Sequence, residues 1–253
     1  MRTYRQILWG GLLVASSPFA LAQDDESKNW TGEGELGVLV TEGNSDSTNI
    51  NARLALKHEV EKWRNTAEFR SVFAESEDDE TGEDETTSEK YNAQAETNYK
   101  FDERQFWFLR GAYEDDRFSG YDFQSSTSTG YGNRVWQSGE RSYLELKAGA
   151  GYRYNKLEEP GDDGDDVEKG TLLRFAGTFN YGLSDNALFI QELSTEVGLQ
   201  DGKTITESFT GLQSNVVGDV SMKLGYRVKH ESEVPAGTEK TDTEISLALL
   251  YGF

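Results

Sequence analysis

Apolar and polar residues alternate with period two along most of this chain, and the alternation runs to the last residue. In the closing stretch EISLALLYGF, Ile245, Leu247, Leu249, Tyr251 and Phe253 share one face. Over 49–59, Ile50, Ala52, Leu54 and Leu56 oppose Asn51, Arg53, Lys57 and Glu59. Over 143–155, Leu144, Leu146, Ala148, Ala150, Tyr152 and Tyr154 oppose Glu145, Lys147, Arg153 and Asn155. Residues 90–101, 171–181 and 220–229 repeat the pattern, which is that of strands and not of helices. It predicts twelve segments, near 30–41, 48–59, 65–75, 88–101, 105–115, 121–136, 142–156, 169–183, 187–199, 203–215, 218–231 and 241–253. The fifth, sixth and tenth alternate poorly.

Each segment has the roughly 9–11 residues that a tilted strand needs to cross a bilayer. Aromatic residues fall near segment ends, as interfacial girdles require. The connections alternate too. One set is short, as in 102–104, 183–186 and 217–219; the other is mostly longer or more charged, as in 75–89, 157–169 and 233–240. Together these features predict an all-β protein, a closed antiparallel transmembrane barrel of about twelve strands, with short periplasmic turns and longer acidic extracellular loops. A soluble sandwich also alternates, but its strands run to about five or six residues and its apolar face meets a second apolar layer. The terminal strand would then show lipid its five apolar residues, Ile245 to Phe253, and close the barrel against the segment at Trp30. These five also form an expected signal for the outer-membrane barrel assembly machinery.

The first 22 residues carry Arg2 and Arg5, an apolar run from Ile7 to Ala15, and Ala20-Leu21-Ala22, the order of a secretory signal peptide. A short polar segment, 23–29, would follow, and the barrel would occupy 30–253. With 46 acidic against 25 basic residues the net charge is −21, which disfavours nucleic acid as a partner. The chain has no cysteine, so thiolate metal sites and disulfides are excluded. The expected location is the outer membrane of a Gram-negative bacterium, with both termini in the periplasm and outer-membrane lipid as the surrounding partner.

The inward parity collects charges of both signs. Arg53, Lys57, Arg70, Lys147, Arg153, Arg174, Lys223 and Arg227 share it with Glu33, Glu35, Glu68, Glu96, Glu145, Glu192, Glu196 and Glu244. These residues line either a water-filled passage or a plug of ion pairs, since twelve strands fall between the filled eight-stranded and the open sixteen-stranded barrel. The two histidines, His58 and His230, fall on or just beyond the lipid-facing parity, which argues against a lumenal Ser-His-acid site and a zinc site. Residues 75–89 hold nine acids and 158–168 hold seven; they are expected to be solvated loops, with divalent cations as candidate partners. The segment YEDDRFSGYD is a candidate mouth loop, in which Glu114, Asp115, Asp116, Arg117 and Tyr121 fold over the opening through an Arg-carboxylate pair.

Several strings carry a family likeness: WTGEGELGVLVTEGNSDSTNINARL (30–54), EKWRN (61–65), YEDDRFSGYD (113–122), GYGNRVW (130–136), AGAGYRY (148–154) and VPAGTEKTDTEISLALLYGF (234–253). They resemble the YdiY-like salt-induced outer-membrane proteins, over essentially the whole of 30–253. The resemblance implies an outer-membrane barrel and brings no catalytic or ligand residues. The expected function is a narrow pore or solute channel linked to salt or osmotic conditions, without cofactor or enzymatic activity. The alternative is a non-conducting structural barrel whose acidic loops hydrate the surface or bind divalent cations.

Overall fold

The computed structural model describes residues 29–41, 47–77, 84–160, 164–200, 202–235 and 237–253; the expected signal peptide lies outside them. Twelve strands follow in chain order: β1 (Trp30–Thr41), β2 (Ser47–Glu59), β3 (Trp63–Glu77), β4 (Asp84–Lys100), β5 (Gln105–Asp116), β6 (Tyr121–Ser138), β7 (Ser142–Leu157), β8 (Val167–Gly182), β9 (Ala187–Gly198), β10 (Thr204–Val217), β11 (Val220–Glu231) and β12 (Thr241–Gly252). Each pairs antiparallel with its sequence neighbours, and β1 pairs with β12 to close the ring. The seam is the shortest ladder. Twelve positions of β1 face β2, but only four, Glu33 to Leu36, face β12.

The polarity is inverted relative to a soluble barrel. Ile245 is 73% exposed and Phe253 63%, whereas Glu145 is 5% exposed and Arg153 4%. Leu54, Phe69, Leu109, Leu146, Phe175, Leu193 and Leu224 are also exposed. Closing the sheet satisfies every interior ladder bond, so such a surface suits hydrocarbon on the outside. Two aromatic bands bound it. At the end of the short turns stand Trp30, Trp63, Tyr99, Phe101, Trp136, Tyr181 and Tyr251; at the other end stand Tyr91, Tyr113, Tyr152, Tyr154 and Tyr226. Tyr91 and Tyr99 on β4 are eight residues apart, about 21 Å along the axis for a tilted strand, close to the apolar height of such barrels.

The poorly alternating segments have structural causes. In β6 the register shifts between Tyr121 and Phe123 and again between Arg134 and Trp136. Each bulge adds a residue and switches the face. Tyr121 is therefore buried inside, while Phe123 stacks outside on Tyr113 and Tyr154 (5.6 and 6.0 Å). In β5 both faces are apolar, because Phe106 and Phe108 point inward and are 3% and 1% exposed. Their rings lie against Gly132 and Gly149, where a Cβ would collide with them. On β10, Phe209 covers Gly211 and Gly225 in the same way. Glycines on the inner wall thus make room for flat rings, and the simple polar-in pattern breaks where they do so.

The acidic stretch expected as a loop over 75–89 is mostly strand. Glu75, Ser76 and Glu77 pair with Thr86, Glu85 and Asp84, and the connection between strands shortens to 78–83, outside the described residues. Likewise Val167 and Glu168 belong to β8, and the backbone N–H of Leu157 donates to Asp166 O at 2.9 Å. Ladder bonds need no apolar face once the strands are in water, so the hairpins continue past the aromatic band. Connections at the two ends therefore differ less in length than the sequence implies. Asp166 is held below the ordinary carboxylate range by Lys156, which donates to it. In the opposite β4–β5 turn, the Asp102 carboxylate accepts from the backbone N–H of Arg104 (2.8 Å) and Gln105 (2.7 Å), which lowers its pKa.

Candidate functional site: an ion-paired lumen

A cavity of about 610 Å³ runs inside the barrel. Arg53, Arg70, Glu96, Glu145, Lys147, Arg153, Arg174, Glu192, Arg227 and Glu244 all line it. So do Arg110, Glu114, Glu207 and Lys229, residues that the parity analysis did not single out. In all, ten glutamates and ten lysines or arginines face the cavity, so the chain's charge of −21 is carried elsewhere. The lumen is electrically balanced, and the acidic excess lies outside it.

The pairs form hubs rather than isolated bridges. Arg53 on β2 reaches Glu33 (3.3 Å) and Glu35 (2.5 Å) on β1 and Glu68 (2.7 Å) on β3. Lys223 on β11 closes on Glu35 at 2.7 Å, passing over β12. Glu196 on β9 faces Arg110, Arg153 and Arg174 at 3.6, 3.6 and 2.7 Å. Gln94 joins the two hubs by donating to Glu68 (3.3 Å) and accepting from Arg110 (3.0 Å). Glu244 and Arg70 approach only to 3.9 Å, and Glu192 makes no ion pair within 4.0 Å among the described residues.

At the turn end, the guanidinium of Arg64 grips Glu145 through two hydrogen bonds (3.0 and 2.9 Å) and sits 4.7 Å above the Phe106 ring. Arg134 adds a third contact to Glu145 at 3.4 Å and lies over Tyr143 at 4.5 Å. Lys147 pairs with Glu96 at 2.5 Å. This cluster ties β3 to β7. The cavity also reaches Thr31, Lys57, Asn180 and Gln213, close to the turn-end strand termini.

The loop end is different, because its contacts cross the whole ring. β5 and β11 stand six places apart among twelve strands, on opposite walls. Yet Lys229 on β11 donates to Glu114 on β5 at 2.6 Å and to Gln124 on β6 at 3.1 Å. Glu231 accepts from Gln124 (3.4 Å) and pairs with Lys203 (2.9 Å), which in turn donates to the Tyr121 hydroxyl (2.6 Å). Lys90 adds a second cation to Glu114 at 3.2 Å. Above this layer Gly120 (φ 75°) packs against Pro235 and Thr238 of the β11–β12 loop. Opposite walls that meet through one Lys-Glu pair must be flattened together, and the cavity stops beneath Tyr121, Lys203 and Glu231.

The expected mouth loop divides between these structures. Glu114, Asp115 and Asp116 are residues of β5, Tyr121 opens β6, and the turn itself is 117–120. Glu114 and Tyr121 enter the closing layer, and Asp116 pairs with Lys90 at 3.1 Å. Asp115 shares the outward parity of Tyr113. Arg117 does not fold over the opening; it is 64% exposed in its side chain and pairs sideways with Glu89 on β4 at 3.1 Å. The ladder leaves it on the outer rim, while the crossing is made by Lys229. Lys229 shares the parity of Lys223 and Arg227, but period alone does not say which strand it will face across the ring.

Ile245, Leu247, Leu249, Tyr251 and Phe253 are all exposed on the outer face of β12. His58 packs against Trp30 with the rings tilted (4.6 Å between centroids), and exposed His230 bonds the Thr241 hydroxyl at 2.8 Å. Among the described residues no three acidic or histidine side chains gather as a metal site would.

Fold and lumen together define a closed, antiparallel barrel of inverted polarity, the form strands take when they cross a bilayer. The chain belongs to the family described as a protein of unknown function, DUF481, whose model matches residues 34–253. This is the YdiY-like family that the sequence resembles. No curated protein matches it. Among solved structures it is similar to the translocator domain of the autotransporter NalP from Neisseria meningitidis (11% identity, 88% of this chain and 87% of that one, TM-score 0.49). It is also similar to the COG4313 outer membrane channel from Pseudomonas putida F1 (10% identity, 88% and 95%, TM-score 0.49) and to the NanC porin (13% identity, 88% and 97%, TM-score 0.47). At these values the likenesses add nothing to the strand pairing, from which the barrel is read.

Proposed function

We propose that this protein is a narrow solute channel of the outer membrane, closed at its loop end by the Lys229–Glu114 layer. The observation that carries the reading is the cavity itself. A purely structural barrel gains most by filling its interior with packed side chains; here about 610 Å³ stays open among twenty charged groups and extends to the turn end. The loop end faces outward and the termini face the periplasm, because the periplasmic connections of such barrels are the short ones. The outward positions of His58 and His230 favour a channel over a lumenal hydrolase. A link to salt or osmotic conditions rests on the family resemblance, and the burial of Lys229 and Glu114 leaves ionic screening little hold on the closing layer. The acidic excess outside the lumen would hydrate the cell surface independently of any conduction.

The test is single-channel recording in planar bilayers, comparing the wild type with the double variant Lys229→Met, Glu114→Gln. That variant removes one charge of each sign, and Lys90 and Glu231 keep Asp116 and Lys203 as partners. Larger or more frequent steps than in the wild type are expected. Equal steps in both would remove the layer as the closure, and folded barrels silent in both would overturn the channel.

A further inference from the structure

On the inner wall of β5 to β9, three guanidinium groups share a single carboxylate. Arg174 hydrogen-bonds Glu196 at 2.7 Å, whereas Arg110 and Arg153 approach it only to 3.6 Å. Arg110 Nη1 and Arg153 Nη2 are buried and have no hydrogen-bond partner. Next to them Asn155 is completely buried, and neither its amide nitrogen nor its amide oxygen is bonded. The Ser128 hydroxyl, which lies opposite Arg110 in the ladder and is 2% exposed, is likewise unpartnered. Five of the nine such orphaned side-chain atoms among the described residues belong to this one patch. Arg110, Arg153, Asn155 and Glu196 line the cavity. Two neighbouring lumenal carboxylates have cations of their own, Glu96 facing Lys147 at 2.5 Å and Glu207 facing Arg227 at 3.8 Å; Glu192, four residues before Glu196 on β9, has none within 4.0 Å among the described residues.

Buried polar atoms in native proteins are almost always bonded, and an orphan is costly unless a ligand or water meets it. The charges in direct contact point the same way, since three cations stand within 4 Å of the one carboxylate. We propose that this patch binds a hydroxylated carboxylate that enters the lumen from the turn end. The anionic oxygens would accept from Arg110 Nη1 and Arg153 Nη2, in the charge-assisted geometry that arginine favours. Asn155 presents both a free donor and a free acceptor, so it calls for a hydroxyl, which can both accept and donate; a bare oxyanion cannot donate. The cavity volume falls within the range of small-molecule sites, about 300–1,000 Å³. The site gives the proposed channel a substrate class, and it rests on that reading for its route of entry alone.

Calorimetry on the folded barrel in detergent tests the site without requiring conduction. Gluconate is the probe, with glucose, acetate, chloride and inorganic phosphate as controls. Gluconate is expected to bind at least tenfold more tightly than each control. Arg153→Met should weaken it at least tenfold, and Asn155→Leu should weaken gluconate while leaving acetate unchanged. Asn155→Leu removes two orphaned atoms, so it keeps the test usable if the arginine variant fails to fold. Glu196→Gln should tighten gluconate several-fold by removing the competing carboxylate. No gluconate binding, or phosphate or acetate binding as tightly as gluconate, would overturn the proposal. Binding by a barrel that never conducts would retain the site and sink the channel; conduction without binding would do the reverse.

Discussion

Gly32 and Phe253 exchange both backbone hydrogen bonds across the seam of the barrel, at 2.8 and 2.9 Å, and the Phe253 ring lies where a Cβ on residue 32 would stand. The pair extends the four-position ladder between β1 and β12 by one further step, on the side nearest the turn-end aromatics. Tyr251 stacks on the same ring at 6.2 Å. The seam therefore depends on its last residue more than any other strand pair does.

Phe253→Ser is expected to lower the amount of heat-modifiable, folded barrel in the outer membrane severalfold, while a serine at Phe118 in the β5–β6 turn leaves it unchanged. Gly32→Ala should share the defect, because its methyl group displaces the same ring. Wild-type levels of folded Phe253→Ser would sink both the seam argument and the assembly-signal role.

Leu146 and Lys147 are adjacent on β7, the first exposed and the second paired with Glu96 inside. Leu146→Arg should destabilise the folded barrel by about 2–4 kcal/mol in a reversible denaturant titration, the cost of arginine on a mid-membrane lipid face. Lys147→Arg introduces the same side chain one residue on and keeps the inner pair, so its effect should stay below about 1 kcal/mol. Equal losses would mean that the outer face of β7 does not meet hydrocarbon.

The rings laid on glycine make a sharper test of the inner wall. Gly132→Ala puts a methyl group into the Phe106 ring and should cost about 1–3 kcal/mol as overpacking. Gly111 on β5 has open space where its Cβ would stand, so Gly111→Ala should be neutral or slightly stabilising in the same titration. Phe106→Leu should partly rescue Gly132→Ala, which a general intolerance of alanine in these strands would not allow.

The orientation in the membrane is open to protease. Cleavage in 158–166 on intact cells is expected, because both strands flanking this connection end on the side of the Lys229 layer. Cleavage should be absent at 183–186 until the outer membrane is opened. The opposite pattern would invert the topology and turn the closed end of the lumen toward the periplasm.

Period two in the sequence determined the number of strands, their neighbours and, where the ladder is unbroken, the face a side chain takes, because a strand has only two faces and a closed ring in lipid fixes which one is apolar. The alternation from Ile245 to Phe253 and from Leu144 to Asn155 needed no further information. Three matters were decided only by the tertiary structure. Bulges in β6 turned Tyr121 inward, since an extra residue in a ladder depends on the register of its partner. Phe106, Phe108 and Phe209 went inside because glycines on neighbouring strands left flat space for them. Finally, Lys229 met Glu114 across the ring, and three arginines met at Glu196. Parity says that a charge faces the lumen, but its partner there depends on the tilt, stagger and flattening of the whole barrel, which no single strand encodes.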